Sequence, residues 1–262
     1  MVGNHDIGFG DGVDLRLLDR FQKYFGQASY VVQHTNYNLL ILDTVSLSSS
    51  IPQIRDNALS MLQKYQPHNK ATILFSHVPL YRQPDMSCGP LRQTTSTIRD
   101  SHGYQYQNLV SKELSDLILA TVRPTLVFSA DDHDYCEVIH NGTIKEITVP
   151  TFSMSQGIRF PGLVVLSMSD QPSTVLHWLP SQIDIFILYA CLLGLSIISI
   201  IAVEVSQTKQ YIYVKVQSSE LPITTRDRYK KPPRVLFISI MQSIRDVALI
   251  AVVTYILCLL CF

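Results

Sequence analysis

The spacing of apolar and polar positions changes along the chain, and the changes mark its elements. Residues 14–25 carry Leu15, Leu17, Leu18, Phe21 and Phe25 at mostly helical spacing, with Gly26 as a stop, which predicts a helix. The short apolar runs 30–33 and 38–42 predict paired strands that end at Asp43-Thr44. Residues 52–65 predict an amphipathic helix with Leu59, Leu62 and Tyr65 toward the core, leading through Pro67-His68-Asn69 into a strand over 71–75. A stretch over 81–101, rich in proline and polar residues, has no period and predicts a long loop. A helix over 109–120 and a strand over 125–128, entered from Pro124, follow. Further strands are predicted over 144–149, 162–166 and 175–178, the last closing a globular domain, residues 1–180.

Beyond Pro180 the pattern loses its polar face. Residues 183–203 are apolar on every side, with only Asp184 charged at the edge, the length and composition of a bilayer span. Residues 204–234 hold seven of the chain's 21 Lys and Arg: Lys209, Lys215, Arg226, Arg228, Lys230, Lys231 and Arg234. By the tendency of basic loops to stay cytosolic, this loop faces the cytosol and the globular domain lies across the membrane. A second apolar segment, 235–262, is interrupted by Arg245 and Asp246, so either the span is short or it buries a charge pair.

Composition sharpens this division. The formal net charge of 262 residues is zero, which argues against nucleic-acid binding through a global positive field. Only 16% of residues are charged, against about 25% in an average soluble domain, as expected if part of the chain avoids water. Five cysteines are too few and too scattered for a disulfide scaffold or zinc ribbon. Cys88 and Cys136 are the two in the globular part; a bridge between them would need an oxidising compartment, and spacing alone leaves it open. Asn141-Gly142-Thr143 is a glycosylation sequon in a predicted turn, whose use depends on a luminal location.

Candidate chemistry gathers at three polar clusters, two of them at the ends of predicted strands. Gly3-Asn4-His5-Asp6 joins metal-ligand and proton-carrying side chains to a glycine that permits a sharp turn. Ser76-His77-Val78-Pro79 follows the strand over 71–75, and Ala130-Asp131-Asp132-His133-Asp134 follows the strand ending at Ser129. Layered α/β enzymes assemble sites from loops at one sheet edge in this way. Each cluster also has a plain structural reading: a lone histidine is more often structural than a ligand, and Asp43 at its strand end reads as a turn or cap. In the long loop Arg82, Arg92 and Arg99 could meet a phosphate; Arg82, five residues from His77, is the candidate substrate-binding residue. Gly103 to Asn108, with two tyrosines and two glutamines, has the composition of a polar pocket wall.

The three motifs in this order resemble the calcineurin-like metallophosphoesterase superfamily. With Val127 to Glu137, Leu80-Tyr81-Arg82 and Gly103 to Asn108, the wording is closest to one branch: the fungal cell-division-control and trafficking phosphoesterases and the mammalian phosphoesterase that remodels glycosylphosphatidylinositol anchors. The resemblance covers roughly residues 1–180. It implies an α/β fold, a partial four-layer αββα sandwich followed by C-terminal transmembrane helices. It implies two divalent metal ions, manganese first and iron or zinc as alternatives. Asn4, His77 and Asp131 would bind one metal and His133 the other, with Asp131 replacing the superfamily's usual histidine. His5 would contact the phosphate and protonate the leaving alkoxide, and Asp6 would orient His5. The implied reaction is hydrolysis that removes ethanolamine phosphate from a mannose of the anchor. The implied partners are glycosylphosphatidylinositol-anchored proteins or the lipid itself, met by a multi-pass protein of the endoplasmic reticulum or Golgi membrane with its phosphoesterase domain luminal. Two superfamily motifs, Asp-x-His and Gly-Asp-x-x-Asp, should precede Gly3 and are not found before it, so the expectation is an N-terminally shortened domain with about half of a two-metal site. The alternative expectations are a catalytically incomplete, membrane-bound binding or regulatory protein, or an incomplete gene reading.

Overall fold

Strands whose side chains alternate between two buried faces build the centre of the protein. The computed structural model describes residues 1–67, 70–103, 106–169, 171–217 and 233–260. They fall into two units, Met1–Ile183 and Asp184–Phe262. The first runs α1 (Asn4–Ile7), α2 (Leu15–Phe25), β1 (Tyr30–Gln33), β2 (Tyr37–Leu42), α3 (Thr44–Leu47), α4 (Pro52–Lys64), β3 (Ala71–Ser76), β4 (His102–Gly103) and β5 (Tyr106–Gln107). It continues with α5 (Lys112–Val122), β6 (Leu126–Ser129), β7 (Cys136–His140), β8 (Ile144–Thr148), β9 (Gly162–Ser167) and β10 (Ser173–Trp178).

Six strands form one sheet in the order β1-β2-β3-β6-β8-β7. Its centre, β2-β3-β6-β8, is parallel, and the outer pairs β1-β2 and β7-β8 are antiparallel. Leu40, Leu42, Leu74 and Val127 point to one face, where Leu18 of α2, Ile54, Ala58 and Leu62 of α4, and Ile118 of α5 cover them. Ile73, Leu126, Phe128 and Ile147 point to the other, where Val164, Leu166 and Leu176 of the β9-β10 ribbon pack on them. This period-2 division places two cores on one sheet. Phe75 and Phe128, on neighbouring strands, stack with ring centroids 5.3 Å apart.

The caps explain the helix ends. Asp14 accepts the Arg16 amide at the start of α2, and Gly26 ends it with a positive φ of 87° that glycine tolerates. Ser111 caps α5, which therefore begins three residues later than the periodicity alone suggests. The expected four layers are not completed among the described residues: helices cover one face, and a two-stranded ribbon covers the other.

The second unit holds most of α6 (Gln182–Gln217) and all of α7 (Pro233–Leu260). Among the described residues, one helix is long and apolar enough to cross a membrane, over the 25 residues Gln182–Ser206. The expected span, residues 183–203, lies within α6. α6 runs on to Gln217 without a break, so Glu204, Lys209 and Lys215 are helical rather than parts of a loop. The Glu204 carboxylate accepts hydrogen bonds from Ser239 (2.7 Å) and Ser243 (2.9 Å), one turn apart on α7. Of the other basic residues of the expected loop, Arg234 lies in α7, and Arg226, Arg228, Lys230 and Lys231 lie outside the described residues, as do His68, Tyr104 and Gln105.

Cys88 and Cys136 are joined in a disulfide across 48 residues, tying the long 81–101 loop to β7. Glu137 N–H donates to the Cys88 carbonyl beside it. Closing a loop of this length stabilises by roughly 3–5 kcal/mol in the chain-entropy account. Cys88→Ser should therefore lower the unfolding free energy of the first unit by that amount in denaturant titrations, and reductant should reproduce the loss in the native sequence. Coincident curves with and without reductant would contradict it.

Candidate active site

Parallel strands that end at one height deliver their loops to one place. Leu42 of β2 pairs with Ser76 of β3, and Phe75 with Phe128 of β6, so Asp43, His77 and Ala130 leave the sheet side by side. Ala130 N–H donates to the His77 carbonyl (3.0 Å), joining the second and third clusters directly. Thr44 Oγ1 contacts Ser76 Oγ (2.9 Å) and accepts from Val78 N–H (3.3 Å), joining the β2 end to the same turn.

α1 brings the first cluster to this edge. Asp6 accepts the Gly3 amide (2.8 Å), which fixes the turn that presents Asn4. The His77 ring packs so closely on Gly3 that an added Cβ would stand 2.9 Å from Cε1. His77 Nε2 lies 3.0 Å from Asn4 Oδ1 and 3.3 Å from Asp131 Oδ1, with both His77 and Asp131 largely buried. Three of the expected ligands, from three separate loops, thus converge on one point.

The third cluster is held in an unusual backbone. Asp131 and His133 both take positive φ, 63° and 70°. Non-glycine residues in this region carry a cost of order 1 kcal/mol each and persist where the surroundings over-determine them. Here the surroundings are visible. Asp134 accepts from Gln93 N–H, Thr94 N–H, Thr94 Oγ1 and Tyr135 N–H, Asp132 pairs with Arg92 at 2.6 Å, and Thr151 N–H donates to the His133 carbonyl. Burial raises the Asp132 carboxyl above its ordinary range, against the pull of Arg92. Arg92 is thereby spent on the loop, while Arg99 stays exposed.

Other expected residues are placed differently. His5 is exposed beside Asn4, its backbone N–H donating to Asn4 Oδ1. Among the described residues no hydrogen bond joins Asp6 to the His5 ring, and none joins the His133 side chain to Asn4, His77 or Asp131. Asp43 caps α3 by accepting from Ser46 N–H (2.9 Å); burial raises its carboxyl, a shift that hydrogen bonding from Ser46 partly offsets. Arg82 is corrected as a substrate residue. Its side chain is wholly buried and paired with Glu146 at 2.8 Å, so it cannot meet a phosphate in the site. Asn141 is exposed in the β7-β8 turn, as a used sequon requires.

Sequence reasoning missed Glu146, which is fully buried with His140 at its second oxygen. Burial pushes its carboxyl up, but Arg82 and the hydrogen bonds from His140 and Ser129 outweigh that and hold it below the ordinary range. The available signal was a glutamate in phase with Ile144 and Thr148 in a strand whose other face is also buried.

No group of three or more His, Cys, Asp or Glu side chains placed to hold a metal occurs among the described residues. The Asn4 amide oxygen widens the donor set. Donors about 2.1 Å from a common ion lie roughly 3 Å apart when at right angles, close to the separations at His77 Nε2. Asn4 Oδ1 and Asp131 Oδ1 thus each stand from His77 Nε2 at a separation that donors to one divalent ion would also show.

The site is thus a polar cluster at the parallel-strand edge of a layered α/β domain. No family model matches the chain. Individual proteins do. "Cell division control protein 1" of Saccharomyces cerevisiae is 38% identical over 179 residues, covering 64% of this chain and 36% of that protein. "Metallophosphoesterase 1" of Pongo abelii is 25% identical over 221 residues, covering 76% and 55%. The protein of that name from Danio rerio is 29% identical over 180 residues, covering 58% and 46%. These similarities support a metallophosphoesterase branch for the chain, which spans between about a third and about half of the relatives' length.

Gly3→Ala tests the packing at the centre of this site. The added methyl must push the His77 ring aside, so the His77 imidazole resonances should shift and manganese affinity should fall about 10-fold or more. Unchanged resonances and affinity would contradict the described contact.

Proposed function

We propose that this chain is a metal-dependent phosphodiesterase that removes ethanolamine phosphate from a mannose of glycosylphosphatidylinositol anchors in the early secretory pathway. The observation that carries the hydrolytic reading is the convergence of Asn4, His77 and Asp131 at His77 Nε2. These three would hold one divalent cation, manganese by preference, and His133 would serve a second. A divalent cation held there would supply Lewis-acid charge stabilisation.

The chain's own groups supply the rest. His5, exposed beside Asn4, would hold the proton that the leaving mannose oxygen takes up. Asp6 acts through the turn, fixing Gly3 and with it Asn4, and so sets where His5 stands. The substrate class comes from the branch of the family rather than from any pocket shape.

Three features support a luminal, membrane-bound location: the Cys88–Cys136 disulfide, the exposed sequon and the apolar reach of α6. On this reading α7 returns through the membrane and the protein is multi-pass. A second reading, a membrane-bound binding protein without turnover, is favoured by one observation: the converging donors suffice for one ion, not two. Metal content separates the two, about two ions per chain for the enzyme and one or none for the binding protein.

His77→Ala should abolish manganese-dependent hydrolysis of a phosphodiester and of the anchor's ethanolamine phosphate, and chelation should do the same reversibly. His5→Ala should lose about 10²–10⁴-fold in turnover with metal content intact. Retained activity in His77→Ala would contradict the assignment. For location, the chain made in cells should shift on endoglycosidase treatment and lose that shift in Asn141→Gln; absence of a shift in the native sequence would remove the sequon as support.

A further inference from the structure

Arg82 and Glu146 do more than neutralise each other. An unpaired guanidinium in a dry interior is costly, and a buried ion pair is often no more stabilising than apolar packing of the same volume, so its geometry is the informative part. Glu146 Oε1 accepts from Arg82 Nη2 (2.8 Å), Leu80 N–H (3.1 Å) and Ser129 Oγ (2.6 Å), while His140 Nε2 meets Oε2. Arg82 returns the contact, with Nε to the Leu80 carbonyl (3.3 Å) and Nη1 to Cys136 Sγ (3.1 Å). Ser129 Oγ also contacts Thr148 Oγ1 (2.9 Å).

The partners of that single oxygen decide its meaning. Leu80 lies three residues after His77, and Ser129 two residues before Asp131. One carboxylate oxygen is thus bonded to both loops that carry the converging ligands, beneath the Ala130–His77 backbone bond that joins them. Displacements of about 1 Å at such sites cost orders of magnitude in function, and outer groups that orient ligands set their precision. We propose that Glu146 is the positioning residue of the site: through Leu80 and Ser129 it fixes the separation of His77 from Asp131, with Arg82 as its counter-charge. The proposal rests on reading His77 and Asp131 as metal ligands.

Glu146→Gln would strand the Arg82 charge and risk the fold, so Ser129→Ala is the informative variant, removing one link while leaving the ion pair. Val122→Ala, a buried truncation on α5 away from the cluster, controls for general loss of stability. Hydrogen exchange on the full chain in detergent, free of metal, should show the segments holding Leu80 and Ala130 losing protection together in Ser129→Ala, by about tenfold beyond the control. Manganese titration should then show roughly 5- to 10-fold weaker binding in Ser129→Ala, and native affinity in Val122→Ala. Exchange in only one segment, or equal exchange in both variants, overturns the proposal. So does manganese affinity that is unchanged in Ser129→Ala, since a purely structural role would leave it so. If the native chain binds no manganese while both segments loosen together, the metal reading fails and Glu146 is left as a loop fastener, which also overturns its role in the site.

Discussion

The parallel register of β2, β3 and β6 is the constraint on which the rest depends. Backbone pairing of Leu42 with Ser76 and of Phe75 with Phe128 ends three strands at one level. Side chains of modest length can then meet across three loops. The two cores on either face of the sheet hold that register, because a slip of one residue would exchange Leu74 and Val127 for Ile73 and Phe128. Packing that looks remote from the chemistry therefore sets the distances at His77.

On this platform the site is fastened from outside as well as from below. The 81–101 loop is bonded through Arg92 to Asp132, through Gln93 and Thr94 to Asp134, and covalently through Cys88 to Cys136. These ties hold the left-handed backbone at Asp131 and His133. The disulfide thus secures this loop covalently to β7.

Much of this was legible in the sequence, and the limits have physical causes. Local signals located β3, β6, α2, α4 and α5, since strand ends, caps and period are properties of neighbouring residues. The clusters that hold His77 and Asp131 stood out because polar residues at strand ends are conspicuous, and the one that holds Asn4 through its glycine turn and the resemblance. Arg82 was misread because nearness in sequence to His77 says nothing of direction; its partner is Glu146, 64 residues away. The pairing of Cys88 with Cys136 was open for the same reason. Apolar composition marks the span over 183–203 but not the end of the helix that holds it, because polar residues such as Lys209 and Lys215 continue α6 to Gln217. The second face of the sheet was predicted by family resemblance, and the described residues place a two-stranded ribbon there.

The most direct test of the account is the coordination shell of the manganese-loaded chain by X-ray absorption, compared between the native sequence and His77→Ala. The account predicts imidazole nitrogen among mostly oxygen donors in the native protein, and loss of the imidazole contribution from that ion in the variant. An all-oxygen shell, unchanged when His77 is removed, would show that the metal sits elsewhere and would contradict the site as described.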